Sequence, residues 1–180
     1  MKRFLIACAA TLLAVVAVNA QPRAIGGRLA YGVGFSYQHS VGMDNMLSLD
    51  VDFPGYTGGI APTVTYDWIF PITAWTEKGE WNWYAGVGGG LGFLWPETVK
   101  YTGGKTTYGG FYFGVAGRIG VEYNFWFPLQ LSVDWRPLVG PGVAWSTYRA
   151  GGVTTRSSGW GFNSSALYAS AICIGVRYRF

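Results

Sequence analysis

Hydrophobic and polar residues alternate along most of the chain after residue 22, with the period of two that is typical of β-strands. Leu47 and Leu49, for example, point to one side of a strand, and Ser48 points to the other. The segments with this pattern are 45–53, 60–70, 81–95, 111–123, 129–135 and 172–180. Several are longer than the five or six residues of a usual soluble strand and approach the roughly 9–11 residues of a membrane-spanning strand.

The segment 23–41 decides how many strands the chain has. A bacterial single-chain barrel needs an even number of strands, so this segment must supply none or two. It alternates throughout, and Gly32 and Gly34 lie near its middle. One long strand is the simplest interpretation of the pattern, but we prefer two short strands around these glycines. The sequence therefore predicts an all-β fold, an eight-stranded antiparallel transmembrane β-barrel with up-and-down meander topology.

The connections between these strands fit such a barrel with both termini on the periplasmic side. The expected periplasmic links are 42–45, 71–80 and 124–128, and the expected long outer loops are 96–109 and 140–165, with a tight outer link at 54–58. Aromatic residues cluster near both predicted strand ends, as in the two girdles of a membrane barrel. Phe93 lies ten residues after Trp83, which at about 40° tilt corresponds to roughly 25 Å along the membrane normal, the height of a lipid-facing band.

The composition favours a lipid environment. Half of the residues are hydrophobic, 18% are aromatic and only 12% are charged, about half the charged fraction of a usual soluble protein. A secreted soluble β-sandwich with one polar face is the alternative, but it would leave many aromatic side chains exposed to water. Nothing in the charge distribution indicates a nucleic-acid partner.

The first twenty residues have the pattern of a secretory signal peptide. Lys2 and Arg3 precede an apolar run over 4–18, and Val18-Asn19-Ala20 is a small-residue cleavage site. We expect residues 1–20 to be the signal peptide and residues 21–180 to form the barrel. The sequence Leu5-Ile6-Ala7-Cys8 resembles a lipoprotein box, but the apolar run continues for ten residues beyond it.

Charged residues on the polar side of the strands would point into the barrel. The expected lumen network contains Arg28, Asp50, Asp52, Asp67, Arg118, Glu122, Asp134, Arg136, Arg177 and Arg179. An eight-stranded barrel is about wide enough to be filled by its own side chains, and buried charges must be paired. We predict a plug of salt bridges, and a narrow gated ion path is the alternative. Glycines at 86, 88, 90 and 92 would make room for bulky side chains across the lumen.

Candidate catalytic residues are scarce. His39 is the only histidine, and its neighbour Ser40 would point to the opposite face of the same strand. The lipid-modifying barrel enzymes need a serine beside a histidine, so we expect no enzyme here. One histidine and the single remaining cysteine, Cys173, cannot build a metal site, and we expect no cofactor. Cys173 is expected to be a small lumen filler.

The long outer loop over 140–165 contains residues that suit an anionic ligand. They are Trp145, Tyr148, Arg149, Arg156 and Trp160. Arginines beside aromatic rings bind anionic sugars and phosphates, so these residues are a candidate surface contact. Packing of the loop over the barrel mouth, with ordinary contact to lipopolysaccharide, is the alternative explanation.

Two segments resemble a known family. The terminal segment Ile-Cys-Ile-Gly-Val-Arg-Tyr-Arg-Phe resembles the outer-membrane insertion signal, whose key residues here are Val176, Tyr178 and Phe180. Gly-Val-Glu-Tyr-Asn-Phe at 120–125, followed by 129–135, resembles the penultimate hairpin of small OmpA/OmpX-like outer-membrane barrels. The resemblance covers essentially the whole mature chain.

The resemblance implies the outer membrane of a Gram-negative bacterium and folding by the barrel-assembly machinery after escort by periplasmic chaperones. It implies no particular activity, because this architecture hosts anchors, adhesins and a few enzymes. We expect a monomeric, non-enzymatic barrel that contributes to envelope integrity and displays surface loops. Its partners would be outer-membrane lipid and lipopolysaccharide, and we expect no peptidoglycan-binding domain after the barrel.

Overall fold

The computed structural model describes residues 22–30, 32–55, 58–75, 78–163 and 172–180, so the predicted signal peptide lies outside the described residues. Its strands are β1 (Pro22–Leu29), β2 (Gly32–Ser40), β3 (Asn45–Pro54), β4 (Gly59–Ile72), β5 (Glu80–Tyr101), β6 (Gly104–Asn124), β7 (Leu129–Trp135), β8 (Leu138–Ala150), β9 (Val153–Asn163) and β10 (Ile172–Arg179). In this part of the chain, no helix is long and apolar enough to cross a membrane.

Antiparallel pairing of the first and last strands closes the sheet into a barrel. Each of the strands β1 to β6 pairs with the next strand along the chain, and β7 pairs with β10. β10 then pairs with β1, from Ala24 opposite Arg179 to Leu29 opposite Ile174. The prediction of an all-β, eight-stranded antiparallel barrel is confirmed.

Two of the eight barrel strands are each divided into two segments. β7 and β8 keep one register against β6, because Ile119 lies opposite Trp135 and Val115 lies opposite Val139. The ladder is interrupted at Pro137, which has no amide hydrogen to donate, although its carbonyl accepts a hydrogen bond from Gly117 at 3.0 Å. β9 and β10 both lie on the other side of this strand, against β8 and β7 respectively.

The segment 23–41 forms two strands, as preferred from the sequence. β1 and β2 form a hairpin in which Leu29 lies opposite Val33. The amide of Ala30 donates to the carbonyl of Gly32 at 2.9 Å, within the connection.

The prediction of long loops at 96–109 and 140–165 is wrong, because most of the described residues in these ranges form strands. β5 and β6 stay paired up to Tyr101 opposite Gly104, and β8 and β9 stay paired up to Ala150 opposite Val153. The turns need positive φ, which glycine supplies without strain: Gly151 has φ +54° and Gly152 has φ +79°. The Thr, Ser and Gly content indicated loops, but threonine also favours strands, and pairing decided the outcome.

The described part of 96–109 and 140–165 therefore forms a four-stranded extension of the barrel wall, in the order β5-β6-β8-β9. β4 begins at Gly59, opposite Leu94, so β5 continues past its neighbour for seven residues, or roughly 23 Å of strand. We call this extension the hairpin sheet. The barrel end that carries it is the hairpin end, and the opposite end, which holds Arg23 and Phe180, is the terminal end.

Candidate functional site

The two faces of the barrel wall differ sharply in chemistry. Exterior positions carry exposed apolar side chains, with Val115 68% exposed and Ile174 51% exposed. Interior positions carry buried polar and charged side chains, among them Arg118 and Glu122. A soluble protein has the opposite arrangement, with its apolar side chains inside and its charges outside.

Aromatic side chains pack against one another on the exterior near both ends of the barrel. At the terminal end, Phe70 stacks on Trp83 with ring centroids 4.2 Å apart, and Trp81 lies 4.7 Å from Tyr123. At the hairpin end, Phe93 contacts the rings of both Trp95 (5.2 Å) and Trp145 (6.3 Å). These pairs form two aromatic belts with an aliphatic band between them.

A cluster of buried ion pairs fills the middle of the barrel. Arg118 donates from Nη1 to Asp67 Oδ2 at 3.1 Å and from Nη2 to Asp134 Oδ2 at 3.2 Å. Arg28 donates to the other oxygen of Asp134, Oδ1, at 3.3 Å, and also forms an ion pair with Asp50. Asp134 therefore bridges two arginines from different strands.

Tyr84 completes this central cluster. Its hydroxyl donates to Asp134 Oδ2 at 3.0 Å, and its ring lies 4.9 Å from the guanidinium carbon of Arg118. A tyrosine whose hydroxyl is buried needs a hydrogen-bond partner, and Asp134 provides it. Tyr84 was not among the predicted members of the network, although its place between Asn82 and Gly86 on the polar side of β5 was the available signal.

A second group of charges lies above the centre, toward the hairpin end. Arg136 pairs with Asp52, and its Nη1 lies 3.5 Å from Asp50 Oδ2. Arg28 Nε lies 3.3 Å from Asp52 Oδ1. These contacts join Arg136 and Asp52 to the central cluster.

A third group surrounds Glu122 toward the terminal end. Its carboxylate accepts hydrogen bonds from Arg23 Nη1 (3.0 Å), Asn82 Nδ2 (3.1 Å) and Gln130 Nε2 (3.0 Å). Arg23 was not among the predicted members of the network, because strict alternation places it on the exterior. The register of β1 against β2 shifts between Pro22 and Ala24, and such an irregularity reorients a side chain.

Two predicted members of the network differ from the expectation. Arg177 is buried, and it donates hydrogen bonds to the neutral oxygens of Ser36 (2.8 Å), Gln130 (3.3 Å) and Ser132 (2.6 Å). The expectation that Arg179 joins the lumen network is wrong. Its side chain stands at the terminal rim, one third exposed, with Nη2 3.8 Å from Glu80 Oε2, because the strand ends there.

Glycines make room for the wall to close tightly. A Cβ at Gly88 would lie 2.7 Å from Thr65 Cα, and a Cβ at Gly120 would lie 2.7 Å from the Tyr84 hydroxyl. At Gly92 the competing atoms belong to the ring of Tyr112. Gly92 therefore accommodates the ring of Tyr112 on the neighbouring strand, not a side chain across the lumen, whereas Gly88 allows close approach of the β4 backbone.

His39 and Ser40, the residues considered for catalysis, are neighbours on β2 and point to opposite faces of the strand. His39 is on the exterior of β2, with Nδ1 2.8 Å from the Tyr37 hydroxyl. Cys173 is buried, and its thiol is not in a disulfide. Within the described residues, no group of three His, Cys, Asp or Glu side chains is placed to hold a metal ion.

The predicted surface-loop residues occupy both faces of the hairpin sheet. Trp145, Arg149, Arg156 and Trp160 lie on the face that continues the barrel exterior, because Thr147 is opposite Arg156 and Val143 is opposite Trp160. Tyr148 lies on the other face, stacked on Tyr101 with centroids 6.2 Å apart. Four of the five predicted contact residues therefore share the exterior face, and Tyr148 lies on the opposite face.

The residues of the insertion-signal pattern follow the exterior of the last strand. Val176, Tyr178 and Phe180 are all exposed there, and Tyr178 and Phe180 pack edge to face at 5.4 Å. The amide of Phe180 donates to the carbonyl of Arg23 at 3.2 Å, which ties the last residue to the first strand.

These features define an eight-stranded antiparallel β-barrel with a charged, ion-paired interior and an apolar, aromatic-belted exterior. No family model, no curated protein and no solved structure matches the chain. The resemblance to OmpA/OmpX-like barrels therefore stays a prediction.

Proposed function

We propose that the chain is an integral β-barrel of the outer membrane of a Gram-negative bacterium, with a non-enzymatic, structural role in the envelope. The observation that carries this proposal is the inverted distribution of side chains, apolar outside and ion-paired inside. Exposed apolar surface on this scale is unfavourable in water and is the normal exterior of a protein in lipid.

The closed ladder supports the same proposal. Lipid offers no hydrogen bonds to an open sheet edge, so a sheet that spans it must close on itself. Pairing of β1 with β10 provides that closure. Along the exterior of β6, Tyr123 lies twelve residues after Phe111, which at about 40° tilt is roughly 30 Å of height and suits a hydrocarbon core.

The interior supports a scaffold rather than an open pore. Arg28, Arg118 and Asp134 are fully buried and connected by ion pairs across the lumen. Such a cluster resists the entry of ions because each member already has its partner in place. The hairpin sheet would then stand outside the cell, above a sealed barrel that contributes to envelope integrity.

A narrow channel is the second candidate, and Arg177 is the observation that favours it. Its guanidinium is buried beside neutral oxygens of Ser36, Gln130 and Ser132. A lumen cation with neutral partners could attract a small anion. Single-channel recording in planar bilayers separates the two candidates, because a sealed barrel gives no steady conductance.

Fractionation combined with heat modifiability tests the main proposal. The full chain is expressed in a Gram-negative host, and the outer-membrane fraction is run on SDS gels with and without boiling. We expect the protein in that fraction, with a mobility shift on boiling, because a closed barrel resists cold SDS. Recovery in a soluble fraction, or equal mobility in both lanes, would contradict the proposal. Depletion of the barrel-assembly machinery should reduce the amount of shifted protein.

A further inference from the structure

Four cations lie together on one face of the hairpin sheet. Lys100, Lys105 and Arg149 stand opposite one another on β5, β6 and β8, and Arg156 lies in the next row, opposite Thr147. Neighbouring strands are about 4.8 Å apart, so three positive charges lie within roughly 10 Å. We call these four residues the cationic patch.

Among the described residues, the cationic patch has no acidic partner. The ion pairs of the described residues include none of its four members. Glu97 is the only acidic residue in 94–110 and 139–163, and it lies opposite Tyr108, on the other face. Like charges directly opposite each other destabilise a sheet, so an external anion would relieve this repulsion.

The patch continues directly into the apolar exterior of the barrel. One row below Arg156, the indole of Trp145 lies across Gly109 and reaches Phe93, with ring centroids 6.3 Å apart. In the next row, Phe111 and Trp160 flank Val143. A hydrogen bond of 2.8 Å between Thr98 and Thr107 marks the same face beside the cations. Positive charge therefore stands immediately above aromatic and aliphatic surface.

The hairpin tips also form a recess of suitable size. An open depression of about 510 Å³ lies between the two tips, and Lys100, Lys105 and Arg149 line it together with glycines of both turns. This volume is within the range of small-ligand sites, roughly 300–1,000 Å³. A phosphate group placed in this open recess would lie near three cations.

We propose that the cationic patch binds the phosphate groups of a phosphorylated glycolipid, lipid A of the outer leaflet, whose acyl chains lie along the aromatic rows below. This inference rests on the proposed outer-membrane function. Phosphate favours arginine and lysine clusters because both donate charge-assisted hydrogen bonds. The lipid is favoured over a soluble polyanion because apolar rows continue on the same face. Acyl chains would contact these rows, whereas a soluble polyanion has no apolar part to contact them.

The test measures binding to the full mature chain in non-ionic detergent micelles. The probes are lipid A with both phosphates, the same lipid A after dephosphorylation, inorganic phosphate, and dextran sulfate as a soluble polyanion. Each cation near an anionic lipid surface contributes about 1 kcal/mol to binding, which is roughly a fivefold change in affinity. Because the patch holds several cations, we expect the phosphorylated lipid to bind at least tenfold more tightly than the dephosphorylated lipid. The lipid should also bind more tightly than inorganic phosphate or dextran sulfate.

Matched variants identify the residues responsible. The combined K100Q, K105Q, R149Q and R156Q protein should lose the preference for phosphorylated lipid A. Glu97→Gln, a charge change on the other face of the same strand, should keep it. Trp160→Ala should weaken the binding of both the phosphorylated and the dephosphorylated lipid A and leave the binding of inorganic phosphate unchanged. If the combined protein fails to fold, the two double variants, K100Q with K105Q and R149Q with R156Q, replace it.

The outcomes separate this inference from the proposed function. A heat-modifiable outer-membrane protein that binds both lipids equally, or that keeps its preference in the combined variant, would overturn the inference alone. Equal binding of dextran sulfate and lipid A would replace the lipid with a soluble polyanion and would also overturn it. A protein absent from the outer membrane would overturn both proposals.

Discussion

The guanidinium of Arg118 and the carboxylate of Asp134 meet in the centre of the barrel, with Nη2 3.2 Å from Oδ2. Asp134 also accepts hydrogen bonds from Arg28 at 3.3 Å and from the Tyr84 hydroxyl at 3.0 Å. One carboxylate therefore holds side chains from β1, β5 and β6 together. Each arginine also has a second carboxylate partner, Asp50 for Arg28 and Asp67 for Arg118, so the central cluster is a connected network in which Asp134 is the carboxylate that also holds Tyr84.

Asp134→Asn should destabilise the barrel strongly. The substitution removes the shared negative charge and leaves two buried arginines with incomplete pairing, which costs about 3–5 kcal/mol for a buried pair. The temperature at which the barrel loses its compact mobility on SDS gels measures the effect. Glu80→Gln is the matched control, because its contact with Arg179 is exposed and contributes less than about 1 kcal/mol. Equal effects of the two substitutions would contradict the central role of Asp134.

Val115→Arg distinguishes a lipid-facing exterior from a water-facing one. Val115 lies between the aromatic belts on the exterior of β6 and is 68% exposed, so in a bilayer the arginine should cost up to about 2–4 kcal/mol. Unfolding by denaturant from vesicles provides the measurement. Ser158→Arg, at an exposed position on the same face but in the hairpin sheet, opposite Trp145, should change the free energy of unfolding by less than about 0.5 kcal/mol. A neutral Val115→Arg would argue for an exterior in water.

Gly88→Ala should weaken the pairing of β4 with β5. The added methyl group would lie 2.7 Å from Thr65 Cα and 2.8 Å from the carbonyl carbon of Val64, so the backbone itself must move. Overpacking of this kind costs about 1–3 kcal/mol. Gly159→Ala is the control, since its methyl group would meet no atom within 4 Å. We expect the Gly88 variant to unfold at a lower denaturant concentration than the Gly159 variant. Similar unfolding midpoints for the two variants would contradict the close approach of β4 and β5.

The conductance of the lumen should depend on the central cluster. The native protein is expected to show no steady single-channel current, because ion pairs fill the interior. The double variant R118A with D134A removes both charges of one pair and opens space between Tyr84 and Asp67, so brief or steady openings should appear. A steady current in the native protein would favour the channel alternative. Arg177→Gln would then change the anion selectivity if that residue attracts the ion.

His39→Gln should leave lipid A unchanged in cells that express the protein. The imidazole lies on the exterior beside the Tyr37 hydroxyl, and Ser40, as its strand neighbour, points to the other face. Mass spectrometry of extracted lipid A from cells that express the native or the variant chain provides the comparison. A modification that the native chain causes and the variant does not would contradict a non-enzymatic role.

The sequence by itself determined which residues face which side of the wall. Alternation depends only on the strand geometry of each segment, so Arg118, Glu122 and Asp134 could be placed inside before any pairing was known. The even strand number required by closure then identified two strands in 23–41. These local and counting arguments are sufficient for the fold class.

Only the tertiary structure decided which charges meet. Arg23 and Glu122 are 99 residues apart, and their contact depends on the β1–β10 closure and on an irregularity at Pro22 and Ala24 that alternation cannot reveal. The hairpin sheet likewise arises from pairing of β5, β6, β8 and β9, because each of these segments becomes a strand when its neighbour satisfies its backbone hydrogen bonds. The face of a residue is a local property of its strand, whereas its partner depends on the register of strands distant in sequence.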